Sequence, residues 1–341
     1  MSTQPTHINT LCAKVVAFPA LMYGLLLNAV GFTLYLFSVL LRFMTFFFDP
    51  HNYLLSLIER TIWYSGAPIA AGLILILFDL FVLLPRKRTR VDVQWNPLAD
   101  RDLTVVLTAY NDEVSIAMAV EDFRRHPKVK RVIVVDNNSK DRTSAVAREC
   151  GAIVVQEKRP GYGHCVFRAL TEGAKYADTE LTLLCEGDMT FRAYDIDKLL
   201  SFAPHADIVN GTRIVEQLRA PRTQVTTFIY YGNFLTAKLL EAKHVGAGTL
   251  TDVGTTYKLC RNDAIQRLLP LLIREINLEF NAHFLDRALA CGFSVVECPV
   301  TFHARVGVSK GGNASNWRAF TVGLRMIFGI LFSWRVLLWL K

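Results

Sequence analysis

The sequence predicts an α/β domain on a mainly parallel sheet, behind two N-terminal transmembrane helices and ahead of a C-terminal helix at a membrane interface. Three observations predict it. Two apolar runs near the N-terminus are long enough to cross a bilayer. Five short apolar runs then alternate with helical stretches. Of the 341 residues, 52% are apolar and 20% charged, which excludes a disordered chain and leads us to expect contact with lipid.

The first apolar run, Val15 to Leu41, carries no charged residue. A spanning helix needs about 20 apolar residues, so this run suffices even with Pro19 near its start. Arg42 to Arg60 reads as a short aromatic loop. Ile62 to Leu84 is the second span, interrupted only by Asp79. Asp79 reads either as a near-interface residue on the helical face of Arg86 or as a functional carboxylate within the membrane. The run Pro85 to Arg90 is strongly basic, and such segments stay on the cytoplasmic side. Residues 1–90 are therefore expected to form a membrane region with helices at about 15–41 and 62–84. The protein is expected in a plasma membrane or bacterial inner membrane, with everything after Pro85 in the cytoplasm. The first run lacks a basic lead-in, so a cleaved signal peptide is not expected.

Lys and Arg exceed Asp and Glu by 38 to 30, for a net charge of +8. A basic balance suits anionic lipid, a phosphorylated substrate or nucleic acid. Nucleic acid is disfavoured because the positive charges cluster beside lipid-facing segments. The seven cysteines form no C-x-x-C pair, which argues against a zinc site and a secreted disulfide framework.

Residues 91–302 carry the α/β pattern. Strands are predicted at 103–109, 132–136, 152–155, 181–185 and 207–210, with helices at about 114–126, 141–150, 163–177 and 195–203. Short continuous apolar strands separated by helices indicate parallel β-α-β units with both sheet faces covered. Such sheets bind ligands beyond the carboxyl ends of their strands. Polar clusters stand there: Tyr110 to Glu113, Asp136 to Ser139, and Glu186-Gly187-Asp188. No G-x-G-x-x-G follows the first strand and no G-x-x-x-x-G-K-[ST] occurs, which disfavours Rossmann dehydrogenases and P-loop enzymes. A carboxylate pair spaced D/E-x-D can instead hold a divalent cation and neutralise a diphosphate. Residues 303–341 are expected to form a phosphate-binding loop and an interfacial helix, its arginines Arg325 and Arg335 snorkelling and its tryptophans at the interface.

These residues carry a resemblance. Val105-Val-Leu-Thr-Ala-Tyr-Asn-Asp-Glu113 resembles the opening strand and loop of family 2 glycosyltransferases. Val134-Val-Asp-Asn-Asn-Ser-Lys-Asp-Arg-Thr143 resembles their D-[DN]-x-S-x-D-x-T loop, and Glu186-Gly187-Asp188 their D-x-D motif. Arg305-Val-Gly-Val-Ser-Lys310 resembles the R-x-x-G-x-S-K segment of the polyprenyl-phosphate branch, which includes dolichol-phosphate mannose synthases. The resemblance covers roughly Leu103 to Lys310. It implies a GT-A fold and inverting transfer of a sugar from a UDP- or GDP-linked donor, with Mg²⁺ or Mn²⁺ as cofactor and a polyprenyl phosphate as acceptor. Tyr110, Asp112 and Asp136 would line the nucleoside pocket, with Gly161 in a glycine-bearing segment beside it. Glu186, Gly187 and Asp188 would flank metal and diphosphate. Arg213 matches the family's G-[ST]-R, and Arg305, Ser309 and Lys310 would hold phosphate oxygens. Three motif positions depart from the pattern: Thr108 replaces a Pro, Asn137 a frequent Asp, and Glu186 the first Asp of D-x-D. The spans also precede the catalytic domain, whereas many relatives carry theirs after it.

A phosphate acceptor, with a second pKa of about 6, is largely dianionic at neutral pH and needs cations more than a base. Arg213, Lys258, Arg261, Arg305 and Lys310 stand in the second half of the domain. A hydroxyl acceptor would need a base. Asp252 reads as a turn residue or an acceptor-side carboxylate, and Glu279 as a helix-start residue or a base; His283 reads as packed. Asp188, Arg213, Asp252 and Glu279 are thus the catalytic candidates. The rival functions are transfer to a hydroxyl of a lipid-linked glycan or polysaccharide, and an inactive nucleotide-binding scaffold. The Q-x-x-R-W motif of processive synthases is absent.

Overall fold

Pro19 has no N–H to donate and stands just ahead of the first helix, α1 (Ala20–Phe48). The computed structural model describes residues 17–48, 54–87, 95–219, 223, 225–307 and 316–339. They fall into two units: Met1–Val91 with Ala242–Gly246, and Asp92–Glu241 with Ala247–Lys341.

In the first unit, α1 is followed by α2 (Leu55–Tyr64), α3 (Gly66–Phe78), a π-helical turn (Asp79–Leu83) and α4 (Leu84–Lys87). Ala20–Thr45 and Leu55–Lys87 are each long and apolar enough to cross a membrane. The loop expected over Arg42 to Arg60 is mostly helical. No proline interrupts the chain between Pro19 and Pro50, so α1 continues through Arg42, which lies 3.6 Å from Glu59 on α2. Glycines let α1 and α3 approach. A Cβ on Gly24 would lie 2.7 Å from the Gly72 carbonyl, and one on Gly31 2.9 Å from that of Ser65. Asp79 is fully buried and pairs with Lys87 at 2.8 Å, not with Arg86. A regular α-helix would bring Arg86 over Asp79; the π-helical turn inserts one residue and brings Lys87 instead. The Leu21 N–H, in the first turn of α1, donates to the other Asp79 oxygen at 2.7 Å.

The second unit holds a seven-stranded sheet of order β3-β2-β1-β4-β6-β5-β7. The strands are β1 (Leu103–Ala109), β2 (Val129–Asp136), β3 (Ile153–Gln156), β4 (Leu181–Glu186), β5 (Ile208–Thr212), β6 (Lys258–Arg261) and β7 (Val295–Pro299). The first five are the expected ones. All run the same way except β6, which is antiparallel to both β4 and β5. Every residue of β1 is buried, as its unbroken apolar run requires.

Helices α5 (Ile116–Arg124), α6 (Thr143–Glu149), α7 (Tyr162–Gly173) and α8 (Ile196–Phe202) follow β1 to β4 in turn. Helix α9 (Thr227–Lys243) follows β5, α10 (Asn262–Leu268) follows β6, and α11 (Phe280–Ala290) leads into β7. A Cβ on Gly163 would overlap the Ile276 carbonyl, so only glycine lets α7 start against that segment. The C-terminus forms α12 (Asn316–Leu331) and α13 (Trp334–Trp339). Trp334 donates from Nε1 to Asp286 on α11 and stacks edge-on against His283 at 5.2 Å. His283 is fully buried and accepts the Ile273 N–H at 2.9 Å.

Candidate active site

The reversed direction of β6 decides what meets at the carboxyl edge of the sheet. The ends of β1, β2, β4 and β5 arrive there together with the segment Asp252 to Thr256, which leads into β6. Arg261, at the far end of β6, pairs with Leu181 at the start of β4 and donates to the Ala203 and Asn96 carbonyls. That places Arg261 at the opposite edge, away from the phosphate-binding role expected of it.

The loops after β1, β2 and β4 each carry a left-handed residue: Asn111 (φ 53°), Asn138 (φ 65°) and Met189 (φ 66°). Asparagine tolerates this conformation; for methionine it is uncommon and stores strain at the site. The first two loops are stitched together. The Asn111 N–H donates to Ser139 Oγ and the Asp112 N–H to Thr143 Oγ1, both at 2.8 Å.

Asp136 is buried behind this junction. It accepts from the Ser139 N–H and from Gln156 Nε2, both at 3.0 Å, and from the Ser144 hydroxyl. Asn137 and Asn138, not Asp136, line the cavity described below. Asn137 is a strut: Nδ2 donates to the Arg159 carbonyl at 2.7 Å and the Glu157 carbonyl at 3.3 Å, while Oδ1 accepts the Gly161 N–H at 2.9 Å. An aspartate there could not donate to two carbonyls. Gly161 itself has φ 124°, a conformation that favours glycine. Asn137→Asp should cost about 1–3 kcal/mol of stability through the carbonyls left unpaired, checked by thermal unfolding.

At the end of β4, Gly187 is pressed against α5, where a Cβ would meet Ile116 Cδ1 at 2.6 Å. Asp188 is fully buried. Its Oδ1 accepts the Thr190 N–H at 3.0 Å, and Oδ2 lies 3.1 Å from Arg305 Nη1. Arg305 Nη2 also donates to Asp112 Oδ1 at 3.2 Å, so one guanidinium joins two carboxylates. Those charges hold Arg305 above its ordinary pKa although burial alone would lower it. Glu186 accepts from Thr256 Oγ1 at 2.8 Å, and burial together with Asp188 pushes its carboxyl well above the usual range. Glu186 and Asp188 are hard oxygen donors that fit a divalent cation, and Asp188 Oδ2, which faces Arg305, accepts no hydrogen bond among the described residues. No set of three acidic, His or Cys ligands gathers among the described residues.

Arg213 and Asp252 form a buried two-pronged pair, with Nε to Oδ2 at 2.7 Å and Nη2 to Oδ1 at 2.8 Å. Burial would raise the Asp252 pKa, but Arg213 prevails and holds it below the usual carboxylate range. Lys258 is fully buried, bonded to the Thr255 carbonyl, and pushed down to about 8 by burial. Glu279 is 3% exposed and lies 2.5 Å from Arg325 on α12. Ser309 and Lys310 lie outside the described residues.

One cavity of ≈ 800 Å³ joins these parts. Tyr110, Asp112, Asn138, Gly161, Glu186, Arg213 and Arg305 line it. Helices α9 and α12 add an apolar wall through Phe228, Leu235, Phe320 and Leu324. Among the described residues, Asp188, Asp252 and Glu279 do not line it; Asp188 reaches it only through Arg305, which does.

A sequence profile described as glycosyl transferase family 2 matches residues 104–269. An uncharacterized glycosyltransferase of Mycobacterium tuberculosis (strain ATCC 25618 / H37Rv) is 32% identical over 213 residues, covering 62% of this chain and 89% of the relative. The chain belongs to glycosyl transferase family 2. This glycosyltransferase is also 28% identical over 211 residues to a dolichyl-phosphate hexose transferase of Haloferax volcanii, covering 61% of the chain and 86% of the relative. Its fold is GT-A-like. It superposes on glucosyl-3-phosphoglycerate synthase from Mycobacterium tuberculosis, solved with Mn²⁺, uridine diphosphate and phosphoglyceric acid. The TM-score is 0.52 at 17% identity, over 68% of this chain and 78% of that one.

Sequence reasoning about this glycosyltransferase missed Tyr162, Thr256 and Asn281, whose polar groups meet on the cavity floor. Asn281 lies two residues beyond Glu279 in the first turn of α11, and no motif marks it.

Proposed function

We propose that this glycosyltransferase moves a hexose from a UDP- or GDP-linked donor to a polyprenyl phosphate, with inversion and with a divalent cation. The observation that carries the acceptor is the fate of the two acceptor-side carboxylates. Asp252 is committed to Arg213 and Glu279 to Arg325, and neither lines the cavity. A hydroxyl nucleophile could use neither of them as its base, and Asp112 and Glu186, which do line the cavity, are assigned to the cation; a phosphate dianion needs no base. The apolar wall of α9 and α12 suits the lipid tail. The name of the Haloferax relative supports the same acceptor class, and the Mn²⁺ and uridine diphosphate held by the structural neighbour support the donor and cation.

Glu186, Asp188 and Asp112 would hold the cation, which supplies charge neutralisation for the leaving diphosphate. Arg305, whose Nε has no hydrogen-bond partner among the described residues, would turn toward phosphate oxygens as they enter. Asp252 fixes the Arg213 fork so that it meets phosphate without reorganising. An acceptor phosphate oxygen bonds to the anomeric carbon from the face opposite the diphosphate, the carbon–diphosphate bond breaks, and nucleoside diphosphate leaves. Ser309 and Lys310 would add to the acceptor phosphate's contacts. The basic run after the second span supports a cytoplasmic catalytic unit in an integral membrane protein.

The test compares radiolabelled sugar transfer by the full chain onto polyprenyl phosphate and onto the dephosphorylated polyprenol. Transfer onto the phosphate alone is expected. Equal transfer onto both would overturn the phosphate nucleophile in favour of a hydroxyl acceptor.

A further inference from the structure

The cavity floor holds a side chain that the proposed reaction leaves unused. Asn281 is 4% exposed and lines the cavity. Its Nδ2 donates to the Tyr162 hydroxyl at 3.0 Å and to the Gly254 carbonyl at 3.1 Å, and it lies 3.3 Å from Thr256 Oγ1. The Gly254 carbonyl can only accept, so the amide cannot be turned over without setting oxygen against oxygen. Its Oδ1 is therefore left buried with no hydrogen-bond partner among the described residues. Native structures seldom leave such a group unpaired, because its lost hydration goes uncompensated.

The neighbours narrow what can pair with it. Thr256 Oγ1 donates to Glu186 Oε1 at 2.8 Å, so the Tyr162 hydroxyl, beside Thr256 Oγ1, is the donor in that contact. Each proton of this chain thus points toward Glu186, and Asn281 is left presenting an acceptor. Burial raises the Tyr162 hydroxyl far above its ordinary pKa, so it stays protonated and keeps this direction. A phosphate or carboxylate oxygen would be repelled by Asn281 Oδ1. A hydroxyl would not. The chain ends at Glu186, two residues from Asp188 in the segment proposed to face the diphosphate, which is where the sugar attached to that diphosphate begins.

We infer that Asn281 reads a hydroxyl of the donor sugar, accepting its O–H at Oδ1, and thereby selects a hexose carrying that hydroxyl over one that lacks it. The inference rests on the proposed nucleotide-sugar donor. Asn281 is a specificity residue; Tyr162 and Thr256 position it.

The experiment measures binding of UDP, UDP-glucose, GDP and GDP-mannose to the full chain in lipid nanodiscs by calorimetry. It is repeated with Asn281→Leu, close in volume, and with Asn281→Ala. Both variants should bind the bare nucleotide as the wild type does, while the affinity gained from the sugar falls by roughly 10-fold. Among donor analogues each lacking one hydroxyl, one should bind the wild type more weakly yet bind the variants no worse than the parent sugar. An undiminished sugar increment in both variants, or equal weakening of nucleotide and nucleotide sugar, would overturn the role of Asn281. A wild-type chain that binds neither nucleotide would instead overturn the donor reading beneath it.

Discussion

Replacing Asp188 by Asn is expected to cut turnover by roughly 10²–10³-fold, the scale of losing a principal electrostatic stabiliser. The amide matches the carboxylate in size, and its oxygen can still accept the Thr190 N–H that Asp188 Oδ1 accepts at 3.0 Å. The other side changes sign. Asp188 Oδ2 faces Arg305 at 3.1 Å, and an amide NH₂ there would set donor against donor and remove a charge from the proposed cation site. Cation affinity in the presence of nucleotide should fall in parallel, measured by calorimetry alongside the transfer assay. Near-normal turnover that resists a chelator would overturn the cation assignment.

Asp252→Ala should be the more damaging change to stability. Arg213 has only 7% of its side chain exposed, and Asp252 accepts from its Nε, Nη2 and backbone N–H. Truncating Asp252 strands a buried guanidinium, which typically costs about 3–5 kcal/mol. Replacing both partners, as Arg213→Met with Asp252→Leu, removes the stranded charge and should recover most of that loss. The double variant should therefore fold yet transfer no sugar, because the cation proposed to face the phosphates is gone. Thermal unfolding in nanodiscs beside the transfer assay checks both halves. Active double variants would show that Arg213 serves the fold alone.

Some of this architecture was legible in the chain. Strands β1 to β5 could be read because parallel strands covered on both faces are continuous apolar runs. Strand β6 could not: it is buried throughout, yet Lys258 and Arg261 make up half of its residues. Their burial is possible only because carbonyls of Thr255, Ala203 and Asn96 accept from them. The candidate site was legible as strand-end polar clusters. Its pairings were not, because Arg305 with Asp112 and Asp188, Arg213 with Asp252, and Glu279 with Arg325 join residues far apart in sequence. Asp136 and Asn137 show the same limit. One residue apart at a strand end, they point to opposite sides, and only the fold tells which one meets the cavity.

The glycine seam and the Leu21–Asp79 hydrogen bond fix the length of the apolar hairpin as well as its packing. Each residue turns an α-helix by about 100°. Adding or deleting one residue between Gly72 and Asp79 would turn Asp79 and Lys87 together and swing the carboxylate away from the Leu21 N–H on α1. Length in this segment is therefore not free to drift, although exposed side chains such as Leu73, Ile74 and Leu77 can be exchanged for other apolar residues. The hairpin behaves as a ruler whose divisions are set by contacts made across it, from α1 to α3 and Asp79.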